Sequence, residues 1–434
     1  MRTASEASWT STRSEQTRST RRMTANALQI TRELTDESRA YPVVYIDCRG
    51  HDLLRGGECA ELADALVNAL ETAGAQLHVG PRVLQKIHIG EARCTTRMRP
   101  ACVAPAVRFA AHAGGSHIVT GDTTVAYTGP RGARENPRGA TSAYEMLARE
   151  NGWGEDGETG VPFAILDRPE SPGSAPLGFE CEEEVLRIDG VERFSDFHAS
   201  GGFLAADTVV NHAHLTLHGL AGFAGCIKSL AMGCSSLTGK LRMHQSLLPA
   251  FTEACSGCGR CVKHCPEQAL AQPDHKAHPA VDPERCIGCG ECVSICRRSA
   301  VELHGEDIHD WTRGAETMGY RMADYVMGLM SGRWERSINV LHLYGITPLC
   351  DCVDERQQPL LRQDLGFVVG MNPFAVDAWG ARLVLEAARA EKISIDEGKV
   401  GMAYECERYV AAKYGLVSAP TLQRVSLSGA TGCA

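Results

Sequence analysis

Two copies of one cysteine spacing constrain this chain more than any other feature. Cys255, Cys258, Cys261 and Cys265 read C-x2-C-x2-C-x3-C and are followed by Pro266; Cys286, Cys289, Cys292 and Cys296 repeat the pattern, with Arg297 in the proline's place. Three cysteines two residues apart wrap a tight loop around one face of an iron–sulfur cube, and the fourth reaches a second cube. The spacing therefore predicts two [4Fe–4S] clusters as cofactors. One is held by Cys255, Cys258, Cys261 and Cys296, the other by Cys286, Cys289, Cys292 and Cys265. Zinc is the competing metal, but its structural sites take four ligands as two separated pairs, and neither motif has that form.

A unit of this kind, of the bacterial two-cluster ferredoxin type, needs only residues 250–303. The chain has 434 residues and 44% apolar composition, so most of it must build another domain with a core of its own. Within 250–300, six basic side chains (Arg260, Lys263, Lys276, Arg285, Arg297, Arg298) balance six acidic ones (Glu253, Glu267, Asp274, Asp282, Glu284, Glu291). Small free-standing ferredoxins are usually acidic, so the neutral segment favours electrons used within the chain. The net charge of −9 argues against a nucleic-acid partner. Nineteen cysteines in a chain of this size point to metal in a reducing compartment rather than to disulfides. No apolar run approaches the roughly 18 residues of a membrane span. Arg21-Arg22 has no hydrophobic segment after it, as a twin-arginine export signal would require. The expected location is the cytoplasm, with no membrane partner.

Residues 1–38, rich in Ser, Thr and Arg, are predicted to be disordered, with Met23 a second candidate start. Order is expected from Tyr41. Strands are predicted at 43–46, 84–89, 117–121, 184–189, 207–211, 338–344 and 366–370. Helices are predicted at 58–72, 101–112, 141–150, 315–330, 376–390 and 402–413, and 168–178 reads as a loop. Strands alternating with helices give an α/β fold with a mainly parallel sheet. The cysteine unit, a small α+β module, interrupts it, which divides the chain into 39–249, 250–303 and 304–434.

Outside the cysteine motifs the densest polar stretch is Asn211–His244, which carries His212, His214, His218, Lys228, Cys234, Lys240 and His244. Histidines beside lysines bind anions, shuttle protons or ligate metal, and the clustering raises the stretch above isolated histidines, which are usually core or surface residues. Cys350-Asp351-Cys352 follows a predicted strand end, where ligands of α/β sheets bind. Its thiols are either metal ligands or small buried apolar groups. Thr120–Thr124 and Lys86–Glu91 also end strands, and each alone reads as an ordinary turn with capping groups. Asp377 is expected in the first turn of a helix, against the helix dipole. Cys48, Cys59, Cys94, Cys102, Cys181, Cys406 and Cys433 are scattered and read as packing or surface thiols. No nucleotide-binding or serine-nucleophile motif occurs.

In this order, Lys86–Arg99 (KIHIGEARCTTRMR), Thr120–Thr124 (TGDTT), His214–His244, the two cysteine motifs, Thr347–Cys352 (TPLCDC) and Gly366–Asp377 (GFVVGMNPFAVD) resemble the domain-of-unknown-function 362 family of iron–sulfur centre proteins. The resemblance covers residues 42–420. It implies one α/β domain interrupted by a two-cluster ferredoxin, and it raises Asp122, His214, His218, Lys228, Gly233, Cys234, Lys240, His244, Cys350 and Cys352 as recurrent positions. Two departures stand out. Thr216 lies where the family often has lysine, which points to a different anionic substrate, and proline is missing after Cys296.

The leading expectation is an iron–sulfur oxidoreductase that relays single electrons to an unsaturated or quinone-like compound. His214, His218 or His244 would donate the proton, Lys228 and Lys240 would hold negative charge, and Asp122 would assist. The alternative is an electron carrier or metal-centre maturation factor serving a redox partner protein. A separate metal site of Cys234, Cys350 and Cys352 with a histidine is compatible with either.

Overall fold

The computed structural model describes residues 20–53, 60–125, 129–132, 140–219, 221–244, 248–265, 268–283, 285–286, 291–304, 311–417 and 421–427. Its elements, in chain order, are β1 (Thr20–Ala27), β2 (Val43–Asp47), α1 (Ala60–Ala73), β3 (Arg82–Lys86), α2 (Ala104–His112), β4 (His117–Asp122), α3 (Ala140–Glu150) and β5 (Phe163–Ile165). Next come β6 (Glu183–Asp189), β7 (Asp196–Ser200), α4 (Gly201–Ala205), β8 (Thr208–His214), β9 (Thr216–His218), β10 (Gly222–Ala224), α5 (Cys226–Cys234) and α6 (Leu237–His244). The cysteine-rich stretch forms β11 (Leu248–Phe251), α7 (Arg260–His264), β12 (Leu270–Ala271), β13 (Ala280–Val281), α8 (Glu291–Ser294) and β14 (Val301–His304). The chain closes with α9 (Trp311–Met330), β15 (Ser337–Leu343), β16 (Gly366–Gly370), α10 (Pro373–Glu391), α11 (Glu397–Tyr414) and β17 (Leu422–Ser426).

An eight-stranded sheet in the order β17-β2-β16-β15-β8-β3-β4-β5 forms the frame. Only β16 runs against the other seven, pairing antiparallel with both β2 and β15. The fold is thus α/β with a mainly parallel sheet. Parallel strands covered on both faces read as continuous apolar runs, and β2, VVYID, is buried along its whole length. Alternation assigns the faces: Val44, Ile46, Val340 and Val369 join one core with Leu62, Leu66 and Leu70 of α1. Val43, Tyr45, Leu341 and Val368 join another with Val376, Ala381 and Val384 of α10.

Residues 20–38 are not the disordered lead-in that their composition suggests. β1 pairs in parallel with β6, which pairs with β7 in a separate three-stranded sheet, and two short 3₁₀ turns follow at 32–34 and 37–39. Backbone pairing, which composition does not report, holds this segment. β3 ends at Lys86 instead of 89 because the chain turns out of the sheet there, reaching positive φ at Gly90, whose amide donates to His88 Nδ1 at 3.0 Å. β8 extends three residues further than predicted, through His212 and His214, which stay in the sheet because this stretch remains paired with β15 as far as His342↔His214. The 168–178 loop contains a 3₁₀ turn, Pro172–Leu177.

Residues 248–304 leave and rejoin the chain side by side, because β11 and β14 pair antiparallel from Leu248↔His304 to Phe251↔Val301. Among the described residues no helix is long and apolar enough to cross a membrane.

Candidate functional site

From β3 the chain moves outward to β4 and β5, whereas β8 lies on the other side of β3 and leads to β15. The β3/β8 boundary is therefore a topological switch point, where loops diverge and leave a crevice at the carboxyl ends of the strands. Lys86 and His214 are the last residues of these two strands. A cavity of about 150 Å³ opens there, and Asp122, His214, His218, Lys228, Lys240 and His244 reach its wall, as do Cys350 and Cys352.

One end of the cavity is a charge cluster. Asp122 at the end of β4 receives Lys86 Nζ on one oxygen and Arg131 on the other, both at 3.1 Å, and Arg131 also pairs with Glu91 at 3.1 Å. Burial opposes the charge on Asp122, but Lys86 and Arg131 outweigh it and hold its carboxyl well below the usual range. Asp122 is thus a fixed counter-ion and not an acid or base. Gly233 is required beside it, since a Cβ there would lie 2.8 Å from the pinned Lys86 Nζ. Next to this cluster Lys240 Nζ donates to Thr123 Oγ1 (2.9 Å) and to the Ser235 carbonyl (2.6 Å). An ammonium has three protons, so one is left for a ligand. Burial pulls the Lys240 pKa down to about 8. Two hydroxyls on the wall, Ser229 Oγ and Thr216 Oγ1, are buried with no hydrogen-bond partner among the described residues. Buried polar groups are rarely left so, and this pattern suits a ligand with acceptors and donors of its own.

The other end carries the thiols. Lys228 Nζ lies 3.5 Å from Cys352 Sγ. The Cys350 thiol donates to Cys352, and with Lys228 and His88 it holds the Cys352 pKa well below the ordinary thiol value, against burial. Burial pulls Lys228 down, but the two sulfurs reverse the shift and raise it. His214 does not face the cavity as a free donor: Nδ1 meets Asp351 Oδ2 at 2.7 Å and Nε2 the Tyr344 carbonyl at 2.6 Å. With acceptors at both nitrogens the ring keeps both protons. Burial works against that charge, and Asp351 outweighs it, so the pKa is raised. His214 therefore anchors Asp351, and with it the loop that carries both cysteines. Cys94 assists, its Sγ 3.4 Å from Asp351 Oδ1, so it is more than a packing thiol.

His218 and His244 differ in tautomer. The Ala221 amide donates to His218 Nδ1 at 3.0 Å, which places the proton of the neutral ring on Nε2. His244 Nδ1 meets the Lys240 carbonyl at 2.7 Å, so its Nε2 carries the lone pair. Burial lowers both, to about 3 and about 4, and both rings are neutral near pH 7.

Helix α5 supplies Lys228 and Ser229, and its N-terminus is fixed from across the fold. Asp377, in the second turn of α10, accepts the amides of Cys226 (2.7 Å) and Ile227 (2.9 Å). The carboxylate thus caps a different helix from the one expected, because its own first turn is already capped by Asn372.

Among the described residues one group brings metal-ligand atoms within 4.8 Å of one another: His218, Cys350 and Cys352. Cys234 does not join it. It is buried in the main core at the end of α5, where burial pushes its thiol up to about 12, so the expected set with Cys234 is corrected.

In the cysteine-rich segment, Cys255, Cys258, Cys261 and Cys296 line a second cavity, of about 270 Å³. Backbone amides approach the sulfurs, Gly257 N to Cys255 at 3.4 Å, Ala300 N to Cys296 at 3.3 Å and Ala269 N to Cys265 at 3.2 Å. Cys289, Cys59 and Cys433 lie outside the described residues. The segment is tied to the thiol loop through Glu355, whose Oε1 meets Arg260 at 2.5 Å and Arg297 at 3.2 Å. Glu291, the residue before Cys292, reaches the wall of the first cavity.

Sequence reasoning passed over Arg131, Glu291 and Ser229. Charged or hydroxyl residues in loops and short helices are common, and nothing in their spacing distinguishes these. Lys86 and His88 had a signal in their place at a strand end, too weak alone.

Fold and site together define an α/β protein with a lysine-, histidine- and thiol-lined cavity at the switch point of its sheet. Residues 83–382 match the family described as "Domain of unknown function (DUF362)", and the chain belongs to it. No curated protein and no solved structure matches it.

Proposed function

We propose that the protein is an iron–sulfur oxidoreductase in which a bacterial ferredoxin-type segment, inserted in the α/β domain, delivers single electrons to a substrate in the switch-point cavity. Cys255, Cys258, Cys261 and Cys296 would hold one [4Fe–4S] cluster. Their common cavity and the amides directed at their sulfurs suit it, since such hydrogen bonds tune cluster potential. Cys286, Cys289, Cys292 and Cys265 would hold the other. Bound clusters supply one-electron transfer.

The observation that carries this reading is α8, whose Glu291 reaches the cavity wall and whose next residue, Cys292, would be a cluster ligand. Cys258 is exposed, which would give a redox partner protein an edge to meet, while Cys292 directly follows Glu291 of the cavity wall in the chain. Within the cavity Lys240 and Lys228 hold negative charge. The tautomers and charges redistribute the expected roles. His214 positions the thiol loop, Asp122 balances Lys86 and Arg131, and neutral His218 donates a hydrogen bond from Nε2 to charge developing on the substrate. Lys240, with its free N–H and a pKa near 8, is the proton donor. An unsaturated or quinone-like compound with an anionic group fits these donors.

The test is total metal and acid-labile sulfide per chain after anaerobic purification, with an EPR spectrum of the reduced protein. About eight iron and eight sulfide are expected. Stoichiometric zinc in the cysteine motifs, with no sulfide, would sink the proposal.

A further inference from the structure

We infer that Cys350 and Cys352 form a redox-active dithiol, a store for two electrons between the one-electron clusters and the substrate. This rests on the cluster relay proposed above for its source of electrons, but the pair itself is read from the geometry.

The sulfurs lie within 4.8 Å of each other and share a hydrogen bond. They stand two residues apart on a loop held by Asp351, which His214 (2.7 Å) and Cys94 (3.4 Å) grip from two sides. Disulfide formation needs a Cα separation under about 7 Å, within the reach of positions i and i+2. The surroundings suit thiol chemistry better than a metal ion. A histidine ligand usually donates its second nitrogen to a carboxylate or carbonyl, whereas His218 Nδ1 accepts the Ala221 amide, leaving a proton on the nitrogen a metal would need. The Lys228 ammonium, 3.5 Å from Cys352 Sγ, repels a cation but favours a thiolate, the nucleophilic form of the residue.

The reaction balances with the clusters as reductant. The Cys350–Cys352 S–S bond breaks, two electrons enter, which the two clusters would supply singly, and one proton goes to Cys350 while Cys352 stays a thiolate beside Lys228. Reoxidation re-forms the S–S bond and passes the electron pair and the Cys350 proton to the substrate, whose second proton comes from Lys240. Glu355 joins Arg260 and Arg297 of the cluster segment to this loop three residues beyond Cys352, so donor and acceptor groups are braced against each other.

The test uses the intact holoprotein, poised with redox mediators over the range in which the clusters change state by EPR, quenched in acid, alkylated and digested. The peptide carrying Cys350 and Cys352 should pass from two alkylated thiols to an unalkylated form lighter by ~2 Da than the free dithiol as the potential rises, and Cys352→Ser should abolish the change with iron and sulfide intact. A pair that stays as two thiols throughout would overturn the inference, as would one non-cluster metal ion per chain that Cys352→Ser removes. Iron and sulfide content in the same samples reads the relay separately: a protein without clusters that still shows the mass change retains the dithiol and loses only its electron source.

Discussion

Lys228 and Cys352 are 124 positions apart in sequence, yet Nζ and Sγ stand 3.5 Å apart. The lysine rides on α5, whose N-terminus is fixed by Asp377, and the cysteine on a loop fixed by His214. Two independently anchored elements therefore meet at one charge pair, and disturbing either anchor should be felt at the other.

His218→Ala is expected to abolish turnover while iron and sulfide stay at wild-type levels, because His218 touches the substrate cavity and lies outside the cysteine motifs. Steady-state reduction assays with parallel metal analysis check this; full activity would remove His218 from the chemistry.

Lys240 has a pKa drawn down to about 8 by burial. The ammonium binds anions and the free amine does not, so affinity for a simple carboxylate probe should fall as pH rises through about 8. Isothermal titration at several pH values reads this, and Lys240→Gln should bind weakly and remove that step.

Thr216→Val deletes a buried hydroxyl that has no partner among the described residues. Its stability should be unchanged or higher by up to about 1 kcal/mol, measured by urea unfolding, while affinity for substrate falls. A loss of several kcal/mol would show that the hydroxyl has an internal structural role.

Asp377 is raised to about 7 by burial. The folded protein keeps this proton where the unfolded chain, with an ordinary value near 4, has lost it. The stability gained from the proton is complete below about pH 4 and is lost as pH rises through about 7. Asp377→Asn has no such proton, so its stability relative to wild type should improve with pH across that window. Unfolding curves at pH 4.5, 6 and 7.5, values chosen to bracket roughly that interval, give the comparison.

Glu355→Ala releases Arg260 and Arg297. Partly exposed pairs of this kind are worth about 1 kcal/mol or less, so global stability should barely change. Hydrogen exchange in residues 255–300 should speed up, and electron delivery to the cavity should slow at constant cluster content.

The sheet was legible because its strands are buried on both faces and carry continuous apolar runs, as in VVYID and GFVVG. β1 was not, since Ser/Thr/Arg composition is silent about backbone pairing with a strand more than 150 residues away. The site's residue types were legible where they cluster in sequence, from His214 to His244, and their roles were not. The two protons of His214, the tautomer of His218 and the lock on Asp122 depend on partners at Tyr344, Asp351, Ala221, Lys86 and Arg131. Cys234 shows the same limit from the other side: its place in the polar stretch and in the family pattern suggested a ligand, but the last turn of α5 directs it into the core.

The antiparallel pairing of β11 with β14 gives residues 248–304 the ends of a cassette. Entry and exit are neighbours, so a short turn can replace the whole insert without stretching the parent sheet. The eight-stranded frame therefore does not depend on the insert for its continuity, and under the proposed function a segment holding clusters of another potential could replace it while the cavity stays as it is.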